Sequence, residues 1–237
     1  GGRLKFARQI AAGALLCSLS SFNPLAVAAD PCSALPRSTI SVQLMESEVA
    51  TDYRRSYAAL KGMSHRYADP GLAVLGLTTG LAQARAKLAT SILKDPAGRW
   101  ECSSVQIAVA YGFQPITVYV GREFPKGSCG FTAIHDHEMR HADTYRRHAR
   151  DVRPQIEEVL RGRFADADPL RGPVGTTLPR LQQELDERWL PFLKRQLESV
   201  EASQREIDTR EEYDRVAASC GGEIARILAA TRPRGGN

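Results

Sequence analysis

The sequence predicts an α+β fold, mostly helical, with a small antiparallel sheet packed near one histidine-bearing helix. Two observations predict the sheet: apolar residues in period two at Val105, Ile107 and Val109, and again at Ile116, Val118 and Val120. A third predicts the helices, because long stretches after Phe131 are rich in Arg, Glu, Leu and Ala with apolar residues three and four apart.

The elements follow in order. Residues 1–28 have the layout of a secretory leader: Arg3, Lys5 and Arg8, an apolar run from Ile10 to Leu25, and Ala26-Val27-Ala28 as a small-x-small cleavage site. Ser18, Ser20, Ser21, Asn23 and Pro24 interrupt that run well short of the roughly 20 apolar residues a membrane span requires. The expected domain is 29–230. Thr39 to Met45 alternates as a short strand, and Ala50 to Leu60 reads as a helix. Leu72 to Leu77 is a short apolar run, and Leu81, Ala84, Leu88 and Ile92 mark one side of a further helix that stops before Asp95-Pro96. The two period-two runs flank Gly112 to Pro115, which reads as the turn of a β-hairpin. A helix from Phe131 to Arg150 is ended or bent by Pro154, and another covers Pro154 to Arg163. Residues 164–179 read as a loop. A long helical region from Leu181 to Ala218, kinked at Pro191, stops at Cys220-Gly221-Gly222, and 231–237 is a Pro/Gly/Arg-rich disordered tail.

Composition excludes some partners. The formal charge of +5 falls to about +2 once the three cations of the leader are set aside, and the arginines lie among acidic residues at helical spacing. No nucleic-acid partner is implied, and no later segment is long and apolar enough to span a membrane. Without Cys17 of the leader, Cys32, Cys102, Cys129 and Cys220 remain, an even number in a chain bound for an oxidising compartment. Two disulfides are expected. Of three possible pairings, Cys102 with Cys129 and Cys32 with Cys220 is favoured, since the first pair flanks one segment and the second would join the ends.

The chemistry concentrates in residues 135–141, His-Asp-His-Glu-Met-Arg-His, which contain a complete HExxH from His137 to His141. Residues four apart share a helix face, so both imidazoles can reach one Zn²⁺, while Glu138 is turned aside and suits a general base acting on water. A catalytic zinc takes three protein ligands. His148 is excluded, because seven residues beyond His141 is roughly 10 Å along the axis. No glycine lies between His141 and Arg150 to break the helix, as the metzincin pattern requires, and His135 points to nearly the opposite side, as a capping, hydrogen-bonding or supporting residue. His65 reads as a surface histidine. The stripe of Leu197, Val200 and Ile207, extended by helical steps, reaches Glu211 and Asp214, so either is expected as the third ligand. Tyr213 beside them either stabilises a developing oxyanion or packs.

The residues Ser128-Cys129 leading into Ile134 to His141, with Ile207-Asp208, Tyr213-Asp214 and Cys220-Gly221 downstream, give the chain a resemblance to a family of bacterial secreted predicted zinc-dependent proteases. The resemblance covers roughly residues 102–222 and implies a gluzincin-like, and so zincin-like, architecture and peptidase activity. In that family a His-Gly pair follows the Tyr-Asp; here Cys220-Gly221 stands nearest to it, and no histidine role is carried over. The expected function is an exported, secreted or periplasmic zinc metallopeptidase acting on a peptide or envelope-protein substrate, with Glu138 as general base. Its rivals are a non-catalytic periplasmic binding or scaffold protein, and a metal store built on His135 to His148.

Overall fold

The fold is organised by one 20-residue strand, β4 (Glu101–Val120), whose odd-numbered residues Val105, Ile107, Val109, Tyr111 and Phe113 are all buried. The computed structural model describes residues 29–46, 48–64 and 73–231. The expectations for the leader (1–28), for Leu72 and His65, and for most of the tail (232–237) lie outside the described residues, and those from Cys32 onward belong to one compact unit.

β3 (Gly76–Lys94) runs antiparallel to β4 along its whole length, from Gly76 opposite Val120 to Lys94 opposite Glu101. Three short strands share the other edge of β4. β5 (Leu170–Gly172) pairs antiparallel with residues 101–103, β1 (Thr39–Leu44) parallel with 106–111, and β2 (Val49–Asp52) parallel with 116–119. The sheet is therefore mixed, and it is no minor appendage. That overturns the expected mostly helical zincin-like domain with a small antiparallel sheet.

Three local features account for the difference. The segment expected as a helix over Leu81 to Ile92 is strand β3, because Ala82, Ala84, Ala86 and Leu88 also alternate with Gln83, Arg85 and Lys87. Alanine suits either element, and the long backbone edge of β4 decides the matter, because its N–H and C=O groups need partners along its full length. The expected hairpin at Gly112 to Pro115 does not form either, since β4 passes straight through it, with a cis bond between Gln114 and Pro115. Gly112 is required there for another reason: a Cβ would lie 2.6 Å from the Met45 carbonyl oxygen, where the chain crosses from β1 to β2. The expected helix over Ala50 to Leu60 gives way to β2 followed by α1 (Tyr57–Met63), which Ser56 caps by accepting from the Ala59 N–H.

The helices cover one face of the sheet. α2 (Cys129–Asp151) starts at Ser128, whose hydroxyl accepts from the Phe131 N–H, and α3 (Arg153–Leu160) restarts with Pro154 in its first turn. After a widened turn over 161–165 come α4 (Thr177–Glu184), a second widened turn over 185–189, and α5 (Leu190–Glu198) with Pro191 in its first turn. The expected long helix is also broken beyond that point, into α6 (Glu201–Ile207) and α7 (Arg210–Ala218), and a further helix, α8 (Glu223–Thr231), follows Cys220–Gly222. Ala142 and Ala149 of α2, Ile156 and Leu160 of α3, and Leu181, Leu193 and Leu197 pack with the inner face of β4 into the main core. Each fully buried leucine or isoleucine there contributes roughly 1.5–3 kcal/mol. The Tyr111 hydroxyl donates to the Ala149 carbonyl at 2.7 Å and so fixes α2 to the strand.

Two disulfides form, but not in the favoured pairing: Cys32 bonds to Cys102 and Cys129 to Cys220. The favoured Cys102 to Cys129 bridge is impossible in this fold. Cys102 opens β4 and Cys129 follows its far end, so up to roughly 60 Å of extended strand separates them.

Candidate metal centre

α2 carries His137 and His141 one turn apart on a buried face, each with 7 % of its surface exposed. Opposite them, Asp208 lies in the break between α6 and α7, where its backbone leaves helical geometry at φ −87° and ψ 55°. Its Oδ1 is 3.1 Å from His137 Nε2 and 3.0 Å from His141 Nε2, and the two Nε2 atoms are 3.3 Å apart. The three atoms form a nearly equilateral triangle.

The outer nitrogens fix the tautomers. His137 Nδ1 lies 3.1 Å from a Glu212 carboxylate oxygen, and His141 Nδ1 lies 2.6 Å from the Gln204 side-chain carbonyl oxygen. Both partners only accept, so both Nδ1 atoms carry hydrogen, and in neutral rings both Nε2 atoms present bare lone pairs. Two such lone pairs and a carboxylate oxygen therefore converge with no proton to share. Either a ring takes up a proton or a cation stands among them. Burial disfavours an imidazolium at His137 and His141, yet the Asp208 hydrogen bonds and the Glu138 charge raise both pKa values. Burial also opposes ionising Asp208, but the bonds to His137 and His141 outweigh it and bring its carboxyl to about 2. Donors 3.0–3.3 Å apart are the separation that three bonds of about 2 Å to one zinc produce, so the residues fit a metal.

Further side chains hold the ligands. Arg215 foremost, then His137 and Arg140, hold Glu212 down to about 2 against the effect of burial, with Arg140 Nη1 and Arg215 Nη2 each donating to Glu212 Oε1 at 2.6 Å. Thr78 on β3 has its hydroxyl 2.8 Å from Glu138 Oε2 and 2.9 Å from the Glu138 backbone carbonyl. Burial raises the Glu138 pKa, opposed by His141, His137 and Thr78. At Gly76 a Cβ would fall 2.7 Å from Glu138 Cγ and Oε1, so glycine lets the strand lie directly on this carboxyl. The triad, Glu138, Thr78, Gly76 and Gln204 border a cavity of about 480 Å³.

Of the residues singled out in the sequence, His137, Glu138, His141 and Tyr213 come together, and Glu211 and Asp214 do not. Both acids are exposed on α7, because the chain leaves the helix at Asp208 and restarts at Thr209, which turns Glu212, Tyr213 and Val216 inward instead. The expected choice between Glu211 and Asp214 is therefore replaced by Asp208. Tyr213 borders the cavity with its ring 6.3 Å from that of His137, and burial, then Asp208 and Glu138, push its phenol up to about 12. His135 stacks on Phe131, and His148 Nε2 donates to the Gln196 carbonyl at 2.8 Å, tying α2 to α5 away from the triad. Asp208, Glu212, Gln204 and Thr78 were not expected. One sequence signal does mark the break: Thr209-Arg210-Glu211-Glu212 is a capping-box pattern, and Thr209 accepts from the Glu212 N–H at 3.2 Å. A second acidic and cysteine grouping, Cys129, Cys220 and Glu223, has its sulfurs committed to a disulfide.

The fold and the site define a disulfide-tied α/β protein with a two-histidine, one-carboxylate cluster of metal-binding geometry. No family model, no curated protein and no solved structure matches the chain. Among the described residues no helix is long and apolar enough to cross a membrane, and two disulfides agree with an oxidising compartment.

Proposed function

We propose that this protein is an exported zinc-dependent peptidase in which His137, His141 and Asp208 hold the metal and Glu138 is the general base. The observation that carries the reading is the triangle of two imidazole nitrogens and a carboxylate oxygen, 3.0–3.3 Å on a side, beside a carboxyl that lines the same cavity. Zinc, when bound, supplies a Lewis acid that makes water nucleophilic near neutral pH and polarises a carbonyl. The chain supplies the rest. Glu138 takes a proton from water and passes it to the leaving amine, and its raised pKa brings it closer to the working range of an acid and base. Thr78 and Gly76 hold that carboxyl in one place. Tyr213, kept protonated, donates to the oxygen on which negative charge develops.

The test pairs metal content with hydrolysis of casein and of internally quenched peptides. The wild-type protein should hold one zinc and cleave, whereas Glu138→Gln should hold zinc and lose activity by at least two orders of magnitude, the usual scale for a general base. A second reading, a metal-holding protein without turnover, draws on the near-complete burial of Glu138 at 5 % exposure. It predicts that both proteins bind zinc and neither cleaves.

A further inference from the structure

The cavity that holds the triad is a trough with two ends. β3 advances about 3.3 Å per residue along its floor. Gly76 lies against Ile134 and Glu138, Gly80 against the ring of Tyr145, and Ala82 pairs with Phe113. The histidines of α2 fall between Ile134 and Tyr145, so the triad stands midway along the trough. The facing wall runs the other way: Val200 and Glu201 near the Tyr145 end, Gln204 on His141, Asp208 over the triad, then Tyr213 and Val216 toward Ile134.

We infer, resting on the peptidase reading, that the Tyr145 end is a specificity pocket for an uncharged apolar side chain of a polypeptide that runs on past both sides of the triad. Three observations converge. The pocket is walled by Phe113 and Tyr145, whose rings meet edge to face at 4.6 Å, and by Ala82 and Val200. Gly80 closes tightly on Tyr145, since a Cβ there would lie 2.8 Å from the ring, so this wall is a packed surface with a fixed shape. No lysine or arginine is among the described residues that line the trough, whose acids are Glu138, Glu198, Glu201 and Asp208. Among the described residues, a terminal carboxylate or a phosphate would therefore meet no cation apart from the metal, and Glu198 and Glu201 would repel an acidic side chain. The whole trough, about 480 Å³, lies in the range of roughly 300–1,000 Å³ usual for ligand sites.

The experiment titrates the zinc-loaded protein, by calorimetry, with four peptide hydroxamates identical except for one side chain: hydrogen, isobutyl, aminobutyl or carboxyethyl. The isobutyl probe should bind on the order of tenfold or more tighter than the other three, the usual effect of filling an apolar pocket. Ala82→Leu, with zinc stoichiometry as the check on its fold, should reduce the isobutyl probe to the affinity of the hydrogen one. Equal affinity of all four wild-type complexes overturns the pocket while leaving the metal centre standing. Tightest binding of aminobutyl overturns it in favour of selection by Glu198 and Glu201. Failure to take up zinc at all overturns the peptidase reading, and the pocket with it.

Discussion

Gln204 holds His141 at two points: its side-chain carbonyl accepts from Nδ1 at 2.6 Å, and its amide nitrogen donates to the His141 backbone carbonyl at 3.1 Å. The second bond fixes which way the amide faces, and the first then fixes the proton of the ring on Nδ1, leaving Nε2 free to ligate. Replacing Gln204 by Leu removes both. Zinc affinity, measured by competition with a chromophoric chelator, should fall about 10- to 100-fold, the usual cost of losing such a support. An unchanged affinity would show that the ring needs no such hold.

Asp208 and its two acidic neighbours on α7 give a contrast. Asp208→Asn removes the charged ligand and should abolish stoichiometric zinc binding at micromolar metal. Glu211→Ala and Asp214→Ala alter exposed side chains and should each leave binding within about twofold and stability within about 0.5 kcal/mol. Loss of zinc from either of the latter pair would return the third ligand to α7.

The Cys129–Cys220 bridge joins the start of the histidine helix to the turn that ends α7, the helix bearing Glu212 and Tyr213. Its separation of 91 residues makes the closed loop long, and removing such a bridge typically costs about 2–5 kcal/mol. The Cys129→Ser, Cys220→Ser double variant should therefore melt lower. It should also bind zinc more weakly, because the α7 wall then finds α2 without a covalent tether. A lowered melting temperature with undiminished zinc affinity is the result that separates the bridge from the site.

Glu101 predicts a pH effect away from the metal. Backbone N–H donation from Gly175, together with the hydroxyl and N–H of Thr177, lowers its carboxyl from 4.5 to about 2. A depressed folded-state value means the stabilisation is complete above about pH 4.5 and is lost as pH falls toward 2. Glu101→Gln should accordingly melt below the wild type at pH 6, and the gap should close across that window. A gap constant between pH 6 and 2 refutes the assignment.

Much of the site was legible in the sequence because it is local. His137, Glu138 and His141 are set by helical spacing within five residues, and Pro154 marks the end of their helix in the sequence. The third ligand was not legible, because extending one helical stripe from Leu197 to Asp214 assumes an unbroken helix. The Thr209 cap and the inward turn of Glu212 show that the phase resets at Asp208. The sheet failed for a different reason. The alanines of β3 satisfy period two and helical spacing alike, so only pairing with β4, across as many as 44 residues of sequence between Gly76 and Val120, selects the strand.

The sequence by itself determined where two imidazoles and a carboxyl share one helix, and that Cys32, Cys102, Cys129 and Cys220 suffice for two disulfides. Tertiary structure alone decided the mixed sheet, the cysteine pairing and Asp208 as the group that completes the triangle. The physical reason is range: turn-to-turn spacing and caps act over a few residues, whereas strand partners, disulfide partners and the far wall of a cavity are chosen by packing between segments the chain brings together only when it folds.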